Sequence, residues 1–354
     1  MSRQAKEDKP KPDQRRYLVV QFIGNLIGAV IVVVALAWVV FGLFGPGRGT
    51  LVEVQAFLLV FLLCFVVIQC HGAVINTRRD YLRGKWVIGD PAGLEPDGVF
   101  NPWRRIAPLA VPAGIAIAVA AWLLLPLAGA ESFKLVTIEA IAFVPLLLGT
   151  TALIAVILPR DQVSFAAALR GRGPGGAVPG FPTYFLIEHA LPWALIQGLI
   201  NLGIGVKQFR WVLDGANPAE AITAGLIAAD FGIVFGILFF FMFLASDGQV
   251  RADVRLGRLP ERRFGMPGLG RAGVALIALG LIVTTVLLMA AAALVMQGFL
   301  AVAGLDAFSV AAATAFKTGS AVLGTLAGCG AGVWWGRRRA GFLAAGAPAH
   351  EDSL

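Results

Sequence analysis

Eight long apolar segments constrain the fold of this chain more than any other feature. They are residues 17–44, 51–76, 106–129, 133–158, 183–213, 219–245, 272–300 and 309–336. Each is longer than the roughly 20 residues with which an α-helix crosses a hydrocarbon core of about 30 Å. Only 14% of the residues are charged, against about 25% in a soluble domain. We therefore predict an all-α, polytopic transmembrane helical bundle of about eight spans.

The basic residues predict the orientation of these spans. Of the 29 lysines and arginines, 24 lie in the N-terminal tail, in every second connection or in the C-terminal tail. Positive residues mark the cytoplasmic side of a membrane protein. The sequence thus predicts four hairpins that open toward the cytoplasm, in the cell (inner) membrane, with both termini cytoplasmic.

The predicted spans divide the chain into two halves. Residues 17–158 would form the first four-helix half and residues 183–336 the second, with a cytoplasmic linker over 159–182. Residues 1–16 would be a basic cytoplasmic tail, and residues 337–354 a second cytoplasmic tail.

A short pattern recurs in the two halves. The segment Gln21–Leu26 (QFIGNL) resembles Gln197–Leu202 (QGLINL). Arg78–Gly84 and Arg251–Gly257 share an Arg-x-Asp-x-x-x-Gly spacing. With an even number of spans in each half, such an internal duplication would give parallel repeats.

This duplication makes a prediction about the fifth span. Gln21 lies near the cytoplasmic end of its helix, so Gln197 should lie near the end of its own. That span would then begin near Pro192, because proline is favoured at a first helical position. Residues 181–191 would lie along the membrane, whereas an unbroken helix from Tyr184 would count against the duplication.

Two ionisable residues, Asp230 and Lys317, fall inside predicted spans. Asp230 lies about eleven residues into its segment and Lys317 about eight into its own, and both segments start from the same side. A charged residue near the membrane centre costs at least about 2.5–3.5 kcal/mol, which mutual pairing would lower. Two interpretations remain open: an ion- or proton-coupled transport site, or a buried pair that fixes helix register.

The fifth segment holds the densest polar pattern. His189, Trp193, Gln197 and Asn201 recur at i, i+4 intervals, and Glu188 precedes the histidine. On a helix this spacing places them on one face. They could line a hydrophilic path in which His189 titrates near neutral pH. Alternatively, Glu188 and His189 are solvated at the cytoplasmic boundary while the amides bond to neighbouring helices.

Four arginines follow the second and sixth spans: Arg78, Arg79, Arg251 and Arg255. We predict that they contact anionic lipid headgroups at the cytoplasmic face, at about 1 kcal/mol per basic residue, or a protein partner, which could be a second copy of the chain. Topology accounts for the net charge of +8, so nucleic acid is not an expected partner.

Glycines recur at four-residue intervals in three segments. This spacing lets helices approach closely, and we expect it to serve packing within the chain. The positions are Gly24/Gly28, Gly232/Gly236 and Gly324/Gly328/Gly332.

No motif names a reaction or a cofactor. The sequence contains no GxxxxGK[ST], HExxH or GxSxG pattern. Cys64, Cys70 and Cys329 fall inside apolar runs, where we expect buried apolar roles. The sequence favours a transporter or channel-like protein for a small solute or ion. The alternatives are a membrane scaffold or assembly subunit that docks a partner through its basic loops, and, lower, a lipid-modifying enzyme.

Overall fold

The computed structural model of the protein is helical over nearly all of the residues that it describes. It describes residues 51–82, 94–99, 101–124, 135–169, 181–214, 222–255 and 271–344, together with part of 19–30. Within these residues no β-strand occurs. Thr223 and Ala307 form an isolated antiparallel β-bridge. The all-α prediction is confirmed.

Seven helices within the described residues are long and apolar enough to cross a membrane. They are α1 Leu51–Leu82, α2 Pro102–Leu124, α3 Leu135–Leu169, α4 Leu191–Asp214, α5 Ala224–Arg255, α6 Arg271–Val302 and α7 Val310–Ala344. They correspond to the second to eighth predicted segments. The first predicted segment, 17–44, lies mostly outside the described residues, although those described between 19 and 30 are helical.

Four of these helices continue beyond the predicted apolar segments. These are α1, α3, α5 and α7, which end at Leu82, Leu169, Arg255 and Ala344. In each of them, the part of the helix beyond the apolar segment is a polar extension at the predicted cytoplasmic end. Hydropathy reports the part of a helix that lies in hydrocarbon, whereas backbone hydrogen bonding continues as long as the residues favour it. The extensions carry three of the buried charged residues described below, Arg78, Asp161 and Asp253.

The contacts divide the chain into two compact units. The first contains α1–α3, and each of these helices packs against the other two. Small residues bring them close: a Cβ at Gly114 of α2 would lie 2.8 Å from Leu63 Cδ1 of α1.

The second unit contains α4–α7, with α5 packed against α6 and α7, and α4 packed against α7. A stripe of glycines on α7 brings it against the backbone of α5, as the four-residue spacing predicted. Ideal Cβ atoms at three of these positions would each lie 2.5 Å from a carbonyl oxygen of α5. The pairs are Gly324–Phe235, Gly328–Phe239 and Gly332–Phe243.

The other predicted glycine motifs differ from one another. Gly232 and Gly236 of α5 face Met289 and Ala293 of α6, which confirms close packing within the chain. Gly24 has no neighbour within 4 Å among the described residues, and its predicted companion at position 28 lies outside them. Beyond its contact with α5, α6 exposes most of its apolar surface.

The fifth predicted segment is one unbroken helical run. A turn over Phe181–Thr183 and a π-helix over Tyr184–Ala190 lead directly into α4. The Leu191 N–H donates to the Leu186 carbonyl, the i to i−5 bond of a π-helix. Pro192 follows, and because it lacks an N–H and crowds the preceding turn, a wider turn suits this position.

This continuity overturns the predicted start near Pro192. The candidate span runs from Tyr184 to Phe209, so Gln197 lies well inside it rather than near its end. The depths of the two matching motifs then disagree. The structure does not support the predicted internal duplication.

Candidate functional site

The second unit buries an ion pair between α5 and α7. Lys317 Nζ lies 2.7 Å from Asp230 Oδ1, and the two side chains are only 6% and 12% exposed. Gln208 of α4 donates from Nε2 to the same oxygen at 3.1 Å. The pairing predicted from the positions of Asp230 and Lys317 is confirmed, and the site joins three helices.

The predicted depth of Asp230 was wrong. α5 begins at Ala224 rather than near residue 219, because residues 222 and 223 belong to the connection that pairs with the loop before α7. Asp230 and Lys317 each lie about two turns from the start of their helix, roughly 10 Å at 1.5 Å per residue. They are at matching depth but nearer one end of the spans than the middle.

Lys317 reaches the carboxylate across a glycine. A Cβ at Gly205 of α4 would lie 3.2 Å from Lys317 Cδ and 3.1 Å from Thr314 Cγ2, so a larger residue would displace the lysine stem. Lys317 can donate three hydrogen bonds and Asp230 can accept on two oxygens. Within the described residues, their contacts use one N–H and one oxygen.

An apolar cluster separates this ion pair from the nearer ends of α5 and α7. The connections at this end are fastened together, with the Phe308 N–H donating to the Ile222 carbonyl at 3.1 Å and the Ala224 N–H to the Asp306 carbonyl at 3.2 Å. The buried members of the cluster are Phe209, Ile222, Ile227, Leu300 and Ala313.

A second buried polar group lies at the other end of this unit, in the π-helix. His189 is fully buried and Glu188 nearly so, so the interpretation that headgroups solvate them is wrong. The Tyr184 hydroxyl donates to Asp253 Oδ2 of α5 at 2.7 Å, and its ring lies 4.7 Å from the His189 ring. Apolar residues of α5 and α7 pack around Tyr184, namely Val250, Val254 and Val333.

The predicted polar stripe on the fifth segment is only partly assembled. Trp193 and Asn201 are buried and Gln197 is half-buried. Asn201 Nδ2 donates to the Gln197 carbonyl at 2.9 Å, a bond within its own helix rather than to a neighbouring one.

Sequence reasoning missed Gln208, which contacts Asp230. Its position seven residues after Asn201, on the same helix face, was the signal.

The first unit buries a chain of alternating charges. Arg78 of α1 binds Asp161 of α3 in bidentate fashion, Nε to Oδ2 at 2.9 Å and Nη2 to Oδ1 at 2.5 Å. Arg105 of α2 has Nε 3.3 Å from Asp161 Oδ1 and donates to both oxygens of Asp97 at 3.0 and 2.6 Å. Ser164 of α3 donates to Asp97 Oδ1 at 2.7 Å. These four charges link all three helices of the unit.

Asp97 is the one member of this chain outside the candidate spans. Desolvation tends to raise its pKa, but hydrogen bonds from Arg105, Ser164 and the Val99 N–H, together with the positive charge of Arg105, outweigh that effect. The pKa of Asp97 is held at about 2. Asp97 therefore remains a carboxylate throughout the physiological range.

The arginines predicted to contact lipid or a partner differ in their exposure and in their ion pairs. Arg78 is 3% exposed and bound to Asp161, so it does not present its guanidinium at the surface. Arg251 is 23% exposed and pairs with Asp247 at 2.8 Å, one turn away on α5. Arg79 and Arg255 lie outside the side chains that the structure describes.

Within the described residues, no group of three or more His, Cys, Asp or Glu side chains is placed to hold a metal ion. The three cysteines, Cys64, Cys70 and Cys329, are buried, as expected. Comparison with protein-family models, with curated proteins and with solved structures finds no match to this chain. The helices define the class: an integral, multi-pass membrane protein.

Proposed function

We propose that this protein is a membrane transporter for a small ionic solute, with Asp230 and Lys317 as its binding and coupling pair. The observation that carries the proposal is a buried ion pair inside the spans, made from two helices and reached by a third. Ionisable residues at membrane depth are costly and commonly mark ion, proton or substrate pathways.

The glycine stripe argues against a purely structural role for the pair. A buried ion pair could fix the register of α5 against α7. However, Gly324, Gly328 and Gly332 already determine that register, because each fits against one carbonyl of α5. A one-residue slip would drive side chains into backbone. The pair then needs a reason beyond register, and solute binding supplies one.

The chemistry of the pair defines the solute class. An anionic solute could replace Asp230 on the Lys317 ammonium, and a cationic solute could replace Lys317 on the Asp230 carboxylate. A coupling ion that binds to either charge would release the other, which gives a route to coupled transport. We therefore favour a small organic acid, amine or amino acid, or a monovalent cation.

The two apolar clusters would serve as gates in this mechanism. The cluster around Phe209 and Ile227 covers the pair toward the nearer helix ends, and the cluster around Tyr184 and Val333 lies at the opposite end of the unit. Both are packed in this conformation, so transport would require each to open in turn. Tyr184 and Asp253, hydrogen-bonded across the second cluster, would hold it closed.

The test is solute-driven flux in proteoliposomes. Purified protein is reconstituted with the pH dye pyranine inside the vesicles, and a panel of monovalent cations, organic acids, amines and amino acids is added outside. The double variant Asp230→Asn/Lys317→Gln removes both charges together, so it leaves no unpaired ion and should fold close to normally. We expect at least one solute to drive flux in the native protein and the double variant to fall to the level of empty vesicles.

A matched control uses the same helix. Thr325 of α7 is fully buried but lies about two turns from Lys317 along α7, and Thr325→Val should transport normally. Full flux in a correctly folded Asp230→Asn/Lys317→Gln variant, or equal loss in both variants, would refute the assignment of the pair.

A further inference from the structure

A cleft of about 250 Å³ opens in the first unit between the start of α2 and the end of α3. Three arginines line it: Arg104 and Arg105 at the first turn of α2, and Arg160 on α3. Asp97 contributes the lining carboxylate. This cleft belongs to the first unit, so it is separate from the transport pair proposed in the second.

The charges in the cleft do not cancel. Arg105 is buried and forms ion pairs with both Asp97 and Asp161, so its side chain is held in place. Arg104 and Arg160 are exposed, and neither is joined to a carboxylate within the part of the chain that the structure describes. Among the described residues, two guanidinium groups therefore line the cleft without a carboxylate partner. Guanidinium is the side-chain group best suited to bidentate recognition of phosphate.

Part of the lining of the cleft is apolar. Pro108, Leu109 and Ile157 form it, and Leu109 is 37% exposed on the outer surface of α2. Pro108 and Leu109 lie nearly two turns inside their candidate span and Ile157 nearly three turns inside its own, while Asp97 lies outside both. The cleft thus crosses from a polar boundary into the apolar belt, the position that the glycerophosphate and upper acyl chain of a lipid occupy.

We propose that this cleft binds a phosphate group, that of an anionic phospholipid, between Arg104 and Arg160. The shared chemistry is a phosphate anion held by two guanidinium groups. The apolar part of the lining distinguishes a lipid from inorganic phosphate, since free phosphate gains nothing from Pro108, Leu109 or Ile157. The predicted location on the cytoplasmic side, where anionic lipid concentrates, agrees with this assignment.

The experiment is native mass spectrometry of the full-length protein released from detergent micelles. Phosphatidylglycerol, phosphatidylcholine and inorganic phosphate are titrated separately, and the fraction of protein that carries each is measured. The cleft variant is Arg104→Gln/Arg160→Gln, which leaves the buried Arg105 in place. The control, Arg262→Gln/Arg263→Gln, removes the same charge from a different basic stretch of the sequence, between α5 and α6.

We expect phosphatidylglycerol to bind the native protein and the control alike, and to bind the cleft variant about 30-fold more weakly. Phosphatidylcholine should bind weakly to all three proteins. If inorganic phosphate binds and the cleft variant loses it, the phosphate site stands but its ligand is the free anion.

Equal lipid binding by the cleft variant and the control would overturn the proposal. The single variant Arg160→Gln provides a second measurement should the double variant unfold. It changes one exposed side chain and should lower the affinity for phosphatidylglycerol about fivefold, since one basic residue contributes about 1 kcal/mol. An unchanged affinity would likewise refute the site.

Discussion

The two units of this protein stabilise helix packing by different means. In the first unit, charges join the helices: Arg78, Asp161, Arg105 and Asp97 alternate in sign and link α1, α2 and α3. In the second unit, backbone approaches backbone through the glycines of α7, and the ion pair of Asp230 with Lys317 adds one contact to an interface that is already defined.

The two units also differ in how fully their buried charges are hydrogen-bonded. Asp161 meets two guanidinium groups and Arg105 meets two carboxylates, so the hydrogen-bonding capacity of each is extensively used. Asp230 accepts hydrogen bonds from Lys317 and Gln208 on the same oxygen. A buried ion is tolerated when its partners satisfy it, and a less fully satisfied pair retains capacity for a ligand.

The sharpest test of this contrast is Asp161→Asn. The change leaves Arg78 buried without its carboxylate and weakens the hold on Arg105. Breaking a buried pair by removing one partner costs about 3–5 kcal/mol. We expect a loss of this size in the free energy of unfolding, measured by denaturant titration in detergent micelles with tryptophan fluorescence as the readout.

A compensating variant controls for this result. Arg78→Met/Asp161→Leu removes both charges and fills their volume with apolar atoms, so it should recover much of the lost stability. If Asp161→Asn unfolds like the native protein, charges do not hold the first unit together and the comparison between the units fails.

The next largest effect is expected at Gly328 in the second unit. Leucine there would place Cβ 2.5 Å from the Phe239 carbonyl oxygen and force α7 away from α5. Overpacking of this kind costs about 1–3 kcal/mol, and separating the helices should also weaken the contact of Lys317 with Asp230. The same unfolding titration measures the cost.

The matched control is Gly319→Leu on the same helix, where a Cβ meets nothing within 4 Å among the described atoms. It should leave stability unchanged or slightly improved, because leucine favours helix over glycine. Equal destabilisation by both variants would show that the glycine stripe does not set the packing of α7 on α5.

The sequence predicted the helices well because hydropathy alone selects lipid-facing segments. It also predicted the pairing of Asp230 with Lys317, since two charges at matching depth have strong reason to meet. It did not predict the partnership of Arg78 with Asp161, because 83 residues separate them and the Arg-x-Asp spacing at Arg78 points to no residue of α3. The apolar residues after Asp161, from Phe165 to Leu169, were the available signal, since they indicate that the helix continues past residue 158 and carries the acid with it.

Local backbone geometry was also beyond sequence reasoning. Pro192 indicated a disturbance in the fifth segment, but a helix start and a π-helix are both compatible with a proline at that position. His189 packs against Tyr184 of the same π-helix, and the Tyr184 hydroxyl bonds to Asp253, which α5 supplies. Periodicity along one helix cannot reveal what a second helix brings to it.

The smallest expected effect concerns Asp97, at the exposed end of the charge chain. Its pKa is about 2 in the folded protein, below the value of about 3.9 for an unfolded Asp. Its ion pair therefore contributes stability above about pH 4, and that contribution disappears as the pH falls toward 2. Because the side chain is 44% exposed, solvent screening limits the contribution to below about 1 kcal/mol.

Comparison of Asp97→Asn with the native protein isolates this contribution, since every other carboxylate titrates in both. Thermal unfolding in micelles should show the native protein slightly more stable at pH 7, with the difference shrinking between pH 4 and 2 and vanishing below. A difference that grows on acidification would have the wrong sign for a depressed pKa. It would then follow that Arg105 is held by Asp161 alone and that the charge chain of the first unit ends within its helices.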